Sequence, residues 1–112
     1  MTHNSPLVDA LGNAPRIRVL DFLLTHAGLD YSKTQVAREA GISRITIGKI
    51  WRELEGRKAI VKTRMIGRAA LYRLNTSNTQ IKALAALDLS LGKAKSDDAL
   101  ERQTLKATGK IT

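Results

Sequence analysis

The amino-acid sequence predicts a mainly α fold with a small β-hairpin, an α+β domain. Helix signals come in five stretches bounded by capping residues or glycines. Past Gly56 the apolar spacing switches to alternation, in two runs on either side of Gly67. With 112 residues and 43% hydrophobic content, the chain can bury one core and is no disordered polyelectrolyte.

Ser5-Pro6 is an N-cap followed by proline at the first helical position, and Gly12 closes this short helix. Asn13 is expected to cap a second helix from Pro15, with Ile17, Leu20, Leu23 and Leu24 on its apolar face and Val19 widening it. Gly28-Leu29-Asp30 then reads as a turn. Ser32-Lys33-Thr34-Gln35 has the form of a capping box, in which the two outer side chains bond each other's backbone amides. The short helix behind it turns Val36, Ala37 and Ala40 inward and stops at Gly41. Ser43 caps the next helix, over about 44–57. Ile47, Ile50, Trp51 and Leu54 share its inner face. Ile45, Gly48, Lys49 and Arg52 lie opposite, with Arg44 and Thr46 on the flanks.

Residues 60–74 read as the hairpin, with Gly67 at its tip. Strict alternation puts Lys62 and Arg64 on one face of its first strand and Val61, Thr63 and Met65 on the other. Ile60 breaks that parity and is expected to be buried at the strand entrance. On the second strand Tyr72 and Leu74 oppose Leu71 and Arg73. Ser77-Asn78-Thr79-Gln80 reads as another capping box, opening a helix to about Leu91. Residues 1–92 then make the domain, and the polar residues 93–112 a frayed helix or flexible tail.

Charge is unevenly spread. Nineteen Lys and Arg against ten Asp and Glu give a net +9. Residues 1–43 are neutral, whereas 44–73 set nine bases against Glu53 and Glu55 alone, a net +7. Solubility needs charge anywhere; an excess confined to thirty residues points to an anionic partner. The absence of cysteine removes disulfides, thiolate metal sites and cysteine nucleophiles together. No apolar run approaches the ~20 residues of a membrane span, and the N-terminus lacks a secretory pattern. His3 and His26 are isolated, and neither a glycine-rich phosphate loop nor a nucleophile–base pair is present. The expectation is a cytoplasmic, non-membrane protein with no catalytic residue, metal or cofactor.

Taken in order, these segments resemble a winged helix-turn-helix domain of the ArsR/MarR-type transcriptional regulator superfamily. The resemblance covers residues 11–75. Leu11-Gly12-Asn13-Ala14-Pro15-Arg16 is similar to the family's opening, and Gln35 to Ser43 to its helix–turn segment. Thr46-Ile47 through Leu54-Glu55 resembles the recognition helix, and the Gly67 hairpin the wing. The sequence departs from metal-sensing members, which use cysteine or clustered histidine ligands. What the resemblance implies is therefore DNA binding, without a sensor site.

The residues fit double-stranded DNA independently. A helix over 44–57 is about 21 Å long and enters a major groove about 12 Å wide. Lys49 and Arg52 supply donors and Thr46 a donor or acceptor, while Ile45 suits a thymine methyl. Gly48 costs ~1 kcal/mol of helix propensity, which either close approach to DNA or tight helix packing would explain. Lys62, Arg64 and Arg68 suit phosphates or the minor groove, and Lys33 and Thr34 flank helix-start amides that suit a phosphate. Ser43 and Arg44 complete the set of DNA-binding candidates. Trp51 and Tyr72 belong to the core rather than to a base-stacking platform.

The function expected is a sequence-specific transcriptional regulator; a plasmid partition, replication or chromatin protein with the same fold is the alternative. A homodimer is expected through residues 5–12 and 78–91. There Leu84, Leu87 and Leu91 make a stripe with Ile81 and Ala85 beside it, and Leu7, Val8 and Leu11 supply the other side.

Overall fold

A computed structural model describes the backbone of residues 5–108 and the side chains of residues 5–93. The elements follow the expected order with one addition. They are α1 (Pro6–Leu11), α2 (Pro15–Thr25), β1 (Tyr31–Ser32), α3 (Lys33–Ala40), α4 (Arg44–Gly56), β2 (Ile60–Ile66), β3 (Ala69–Leu74) and α5 (Thr79–Thr108).

Most boundaries follow from local chemistry. The Ser5 hydroxyl accepts from the Val8 amide, opening α1. Ser32 and Gln35 form both bonds of the capping box at α3. Gly41 closes α3 in the left-handed region, at φ 67°, and the Ile42 amide donates back to the Ala37 carbonyl. Two expected caps move. Ala14, not Asn13, is the N-cap of α2, where Pro15 supplies a preset φ without a side-chain bond. At α5 the Asn78 carboxamide, not Ser77, accepts from the Gln80 and Ile81 amides.

β1 was not expected. It pairs with β3 through Tyr31–Tyr72 and Ser32–Leu71, making a three-stranded antiparallel sheet in the order β1-β3-β2. Two residues are too few to show alternation, so only β3's open edge defines them as a strand. Between β2 and β3, Lys62 pairs with Tyr72 but Arg64 with Leu71, leaving a bulge at Thr63. The bulge reverses the alternation beyond it. Lys62 and Arg64 therefore lie on opposite faces, and Val61, Thr63 and Met65 do not share one. Ile60 is buried at the strand entrance beside Leu74.

The core gathers Val19 and Leu23 of α2, Val36 and Ala37 of α3, and Ile47, Ile50, Trp51 and Leu54 of α4, with Ile60, Leu74 and Ile81. On α2, Val19 and Leu23 carry the deep burial, and Leu20 and Leu24 pack around them. Trp51 is 3% exposed and meets Tyr72 edge-on, with ring centroids 5.3 Å apart. Both are core residues.

The final helix passes Leu91 and continues to Thr108. Beyond Gly92 the sequence has helix formers and no proline, so nothing there stops it before Gly109. The inner residues of α5 are Ile81, Leu84, Asp88 and Leu91, so Asp88 occupies the place expected of Leu87. Leu87 is exposed. Leu7 and Val8 are buried within the chain, where α1 packs on α2 and α5.

Candidate nucleic-acid interface

The first turn of α4 is rigidly closed. The Ser43 hydroxyl accepts from the Thr46 amide and lies 2.9 Å from the Thr46 hydroxyl. With its inner face fixed by four core residues, α4 holds the opposite face in solvent. Ile45 there is 76% exposed, and Arg44, Lys49 and Arg52 are exposed beside it. A Cβ built at Gly48 meets nothing within 4 Å. Tight packing between helices is thus not the reason for that glycine.

Most of the first strand of the hairpin is exposed. Only Ile60 of β2 is buried, and from Lys62 to Ile66 the strand is exposed. Gly67 turns the chain at φ 60°, the conformation a two-residue loop with glycine first requires. Arg68 follows at the tip, and Arg68, Ala69 and Ala70 border a cleft of about 390 Å³. Lys33 and Thr34 at the start of α3 line it too, as do Trp51, Glu55 and Tyr72. Burial, and then the Glu55 carboxylate, hold the Tyr72 phenol above its ordinary range. One cleft therefore joins the start of α3, α4 and the hairpin.

Of the expected DNA contacts, Lys33, Thr34 and Arg68 line this cleft, whereas Ser43, Arg44, Ile45, Thr46, Lys49, Arg52, Lys62 and Arg64 do not. The Arg64 guanidinium is bound to the Asp30 carboxylate, Nε to Oδ2 at 3.0 Å, and the Thr63 hydroxyl donates to the same oxygen at 2.6 Å. Arg57 is ion-paired with Glu53, which also holds Arg16. Two residues that sequence reasoning passed over have positioning roles. Asp30 tethers the hairpin. Arg18 donates to the carbonyls of Ala40 and Gly41, at 2.9 and 3.1 Å, and to that of Asn13. It fixes the turn between α3 and α4 to α2. Neither role has a local signal, because Ala40 and Gly41 lie more than twenty positions from Arg18, and Arg64 lies 34 from Asp30.

His26 stacks on Phe22, with centroids 4.3 Å apart, and its Nδ1 lies 2.8 Å from the Phe22 carbonyl. His3 lies outside the described residues. Among the described residues no group of three or more His, Asp or Glu could hold a metal. No helix among them is long and apolar enough to cross a membrane.

No protein-family model matches the chain, and no curated protein matches it in sequence. Solved structures do match. MepR, a transcription regulator of the Staphylococcus aureus multidrug efflux pump MepA, superposes with a TM-score of 0.58 at 15% identity, over 88% of this chain and 78% of that one. NadR in complex with 4-hydroxyphenylacetate gives 0.60 at 16% identity, over 95% and 75%. The transcriptional regulator PA4135 gives 0.59 at 15% identity, over 95% and 79%. The fold is a winged helix-turn-helix. Within it α3 and α4 make the helix-turn-helix and β2–β3 the wing. A S. aureus MepR variant that superposes with a TM-score of 0.59 at 14% identity, over 96% of this chain and 85% of that one, is bound to an oligodeoxyribonucleotide.

Proposed function

We propose that this winged helix is a sequence-specific, double-stranded-DNA-binding transcription regulator that acts as a homodimer. The observation that carries the reading is the outward face of α4, where Ile45 is 76% exposed beside the exposed Arg44, Lys49 and Arg52, within the segment that holds a net +7. Ile45, Thr46, Lys49 and Arg52 present to base edges an outward face that the buried face of α4 fixes in place. Ser43 and Arg44 at the start of α4, Lys33 and Thr34 at the start of α3, and Lys62 and Arg68 on the hairpin hold phosphates; Arg64 joins them only by exchanging Asp30 for a phosphate. A similar fold bound to an oligodeoxyribonucleotide supports the same partner.

The homodimer rests on exposed apolar side chains. Leu87 and Leu89 of α5 and Leu11 of α1 are exposed, Leu89 at 77%, while their neighbours Leu7, Val8 and Ile81 are consumed by the chain's own core. Two-fold symmetry would set the recognition helices roughly 34 Å apart, matching successive major grooves.

A salt titration with a footprint on the DNA flanking the protein's own gene tests the reading. Neutralising Z phosphates gives a log–log slope near −0.9Z, and a slope close to zero overturns duplex binding. A short two-lobed footprint supports a regulator, whereas an extended coat assigns the protein to partition or chromatin. Sedimentation equilibrium at micromolar concentration tests the dimer, and a monomer there refutes it.

A further inference from the structure

The tip of the wing carries two large apolar side chains that the described residues leave about half exposed. Met65 is 51% and Ile66 56% exposed. They pair across the hairpin with Ala70 and Ala69, so a small residue lies beside each large one and both stand proud. As successive residues of one strand, they project from opposite faces. The tip is thus a thin blade, apolar on both sides. Lys62, Arg64 and Arg68 lie within three positions of it in sequence, Arg64 held by Asp30, and residues 60–74 contain no acid.

This combination restricts the occupant. A protein partner docked on a sheet needs one apolar face, whereas a blade apolar on both faces needs an occupant that encloses it. The bases around it require that occupant to be polyanionic. The minor groove of duplex DNA meets both conditions, with apolar sugar walls and base edges between two rows of phosphates. We infer that the wing tip is an apolar wedge for the minor groove, with Met65 and Ile66 as the side chains that enter it and kink the duplex. The inference rests on the DNA-binding reading above and adds a deformation that reading does not require. Isoleucine and methionine are among the residue types that open base steps in this way. Pyrimidine–purine steps unstack most easily, so sequence preference at the wing comes from deformability and not from hydrogen bonds.

The test uses the full chain and a duplex selected from a random-sequence pool, labelled at both ends for energy transfer. The unmodified protein is expected to shorten the end-to-end distance on binding. The double variant Met65→Ala/Ile66→Ala truncates two side chains outside the core and should melt close to the parent. It should leave the bound duplex straighter and bind about five-fold more weakly, with an unchanged salt slope, since neither residue releases counterions. Equal bending and affinity in parent and double variant overturn the wedge while leaving DNA binding intact. If the parent binds no duplex, the DNA-binding reading fails and the wedge with it. Vesicles of anionic lipid, run in parallel, identify a membrane blade instead: loss of vesicle binding in the double variant, with DNA bending unchanged, also overturns the inference.

Discussion

Asp30, just ahead of β1, holds Arg64 of the wing across 34 positions of sequence, accepting from its Nε at 3.0 Å and its Nη2 at 3.3 Å. The Arg64 guanidinium, and then the Thr63 hydroxyl, hold the Asp30 carboxyl below the usual carboxylate range. A depressed carboxylate stabilises the fold above its unfolded pKa, and that contribution disappears as pH falls through the folded value. The charge of Arg64 is therefore already compensated within the fold. Arg64→Ala should change the salt slope of binding less than Arg68→Ala, which should lower its magnitude by about 0.9. Fluorescence anisotropy across salt concentrations compares them, and equal changes would place Arg64 on a phosphate.

Lys49 and Arg68 should fail in different ways. Lys49→Ala should cost about 1–3 kcal/mol on the selected duplex and flatten discrimination between sequences. Arg68→Ala should weaken selected and random duplexes alike. Competition against random DNA separates the two, and the reverse pattern would exchange their roles.

Gly48 offers a test in which stability and binding move oppositely. Its site is open in the free protein, so Gly48→Ala should stabilise α4 by up to ~1 kcal/mol. If the glycine exists for close approach to DNA, the same variant should bind more weakly despite melting higher. Thermal melting and anisotropy on one preparation give both values; tighter binding would deny Gly48 that role.

Arg18 is a structural arginine within a basic protein. Arg18→Ala should destabilise the fold by about 1–3 kcal/mol, because the Ala40 and Gly41 carbonyls lose a charged donor. Urea unfolding measures the loss. An unchanged midpoint would show that α3 and α4 keep their turn without this clamp.

Asp88 lies half-buried on α5, and burial, with Asp21 close by, raises its pKa. A raised carboxylate favours the fold while protonated, so stability is full below the unfolded pKa and falls as pH rises through the folded value. Asp88→Asn should therefore melt higher than the parent at neutral pH, with the gain shrinking on acidification. Melting curves across that range check the sign, and a gain that grows in acid contradicts it.

What the sequence determined by itself was set by short-range chemistry. Ser5, Ser32, Ser43 and Gly41 fix helix ends through bonds spanning a few residues, and helical spacing alone separates Ile47, Ile50, Trp51 and Leu54 from Ile45, Lys49 and Arg52. The order of elements and the outward face of α4 were legible for that reason. The tertiary structure decided whatever depends on partners distant in the chain. β1 exists only because β3 offers an edge, and the Thr63 bulge parts Lys62 from Arg64 where strict alternation would join them. Asp88 displaced Leu87 from the inner stripe because the line of contact, not hydropathy, selects the face of a helix as apolar as α5. Asp30 and Arg18 act across twenty to thirty-four residues, a range over which no periodicity carries information.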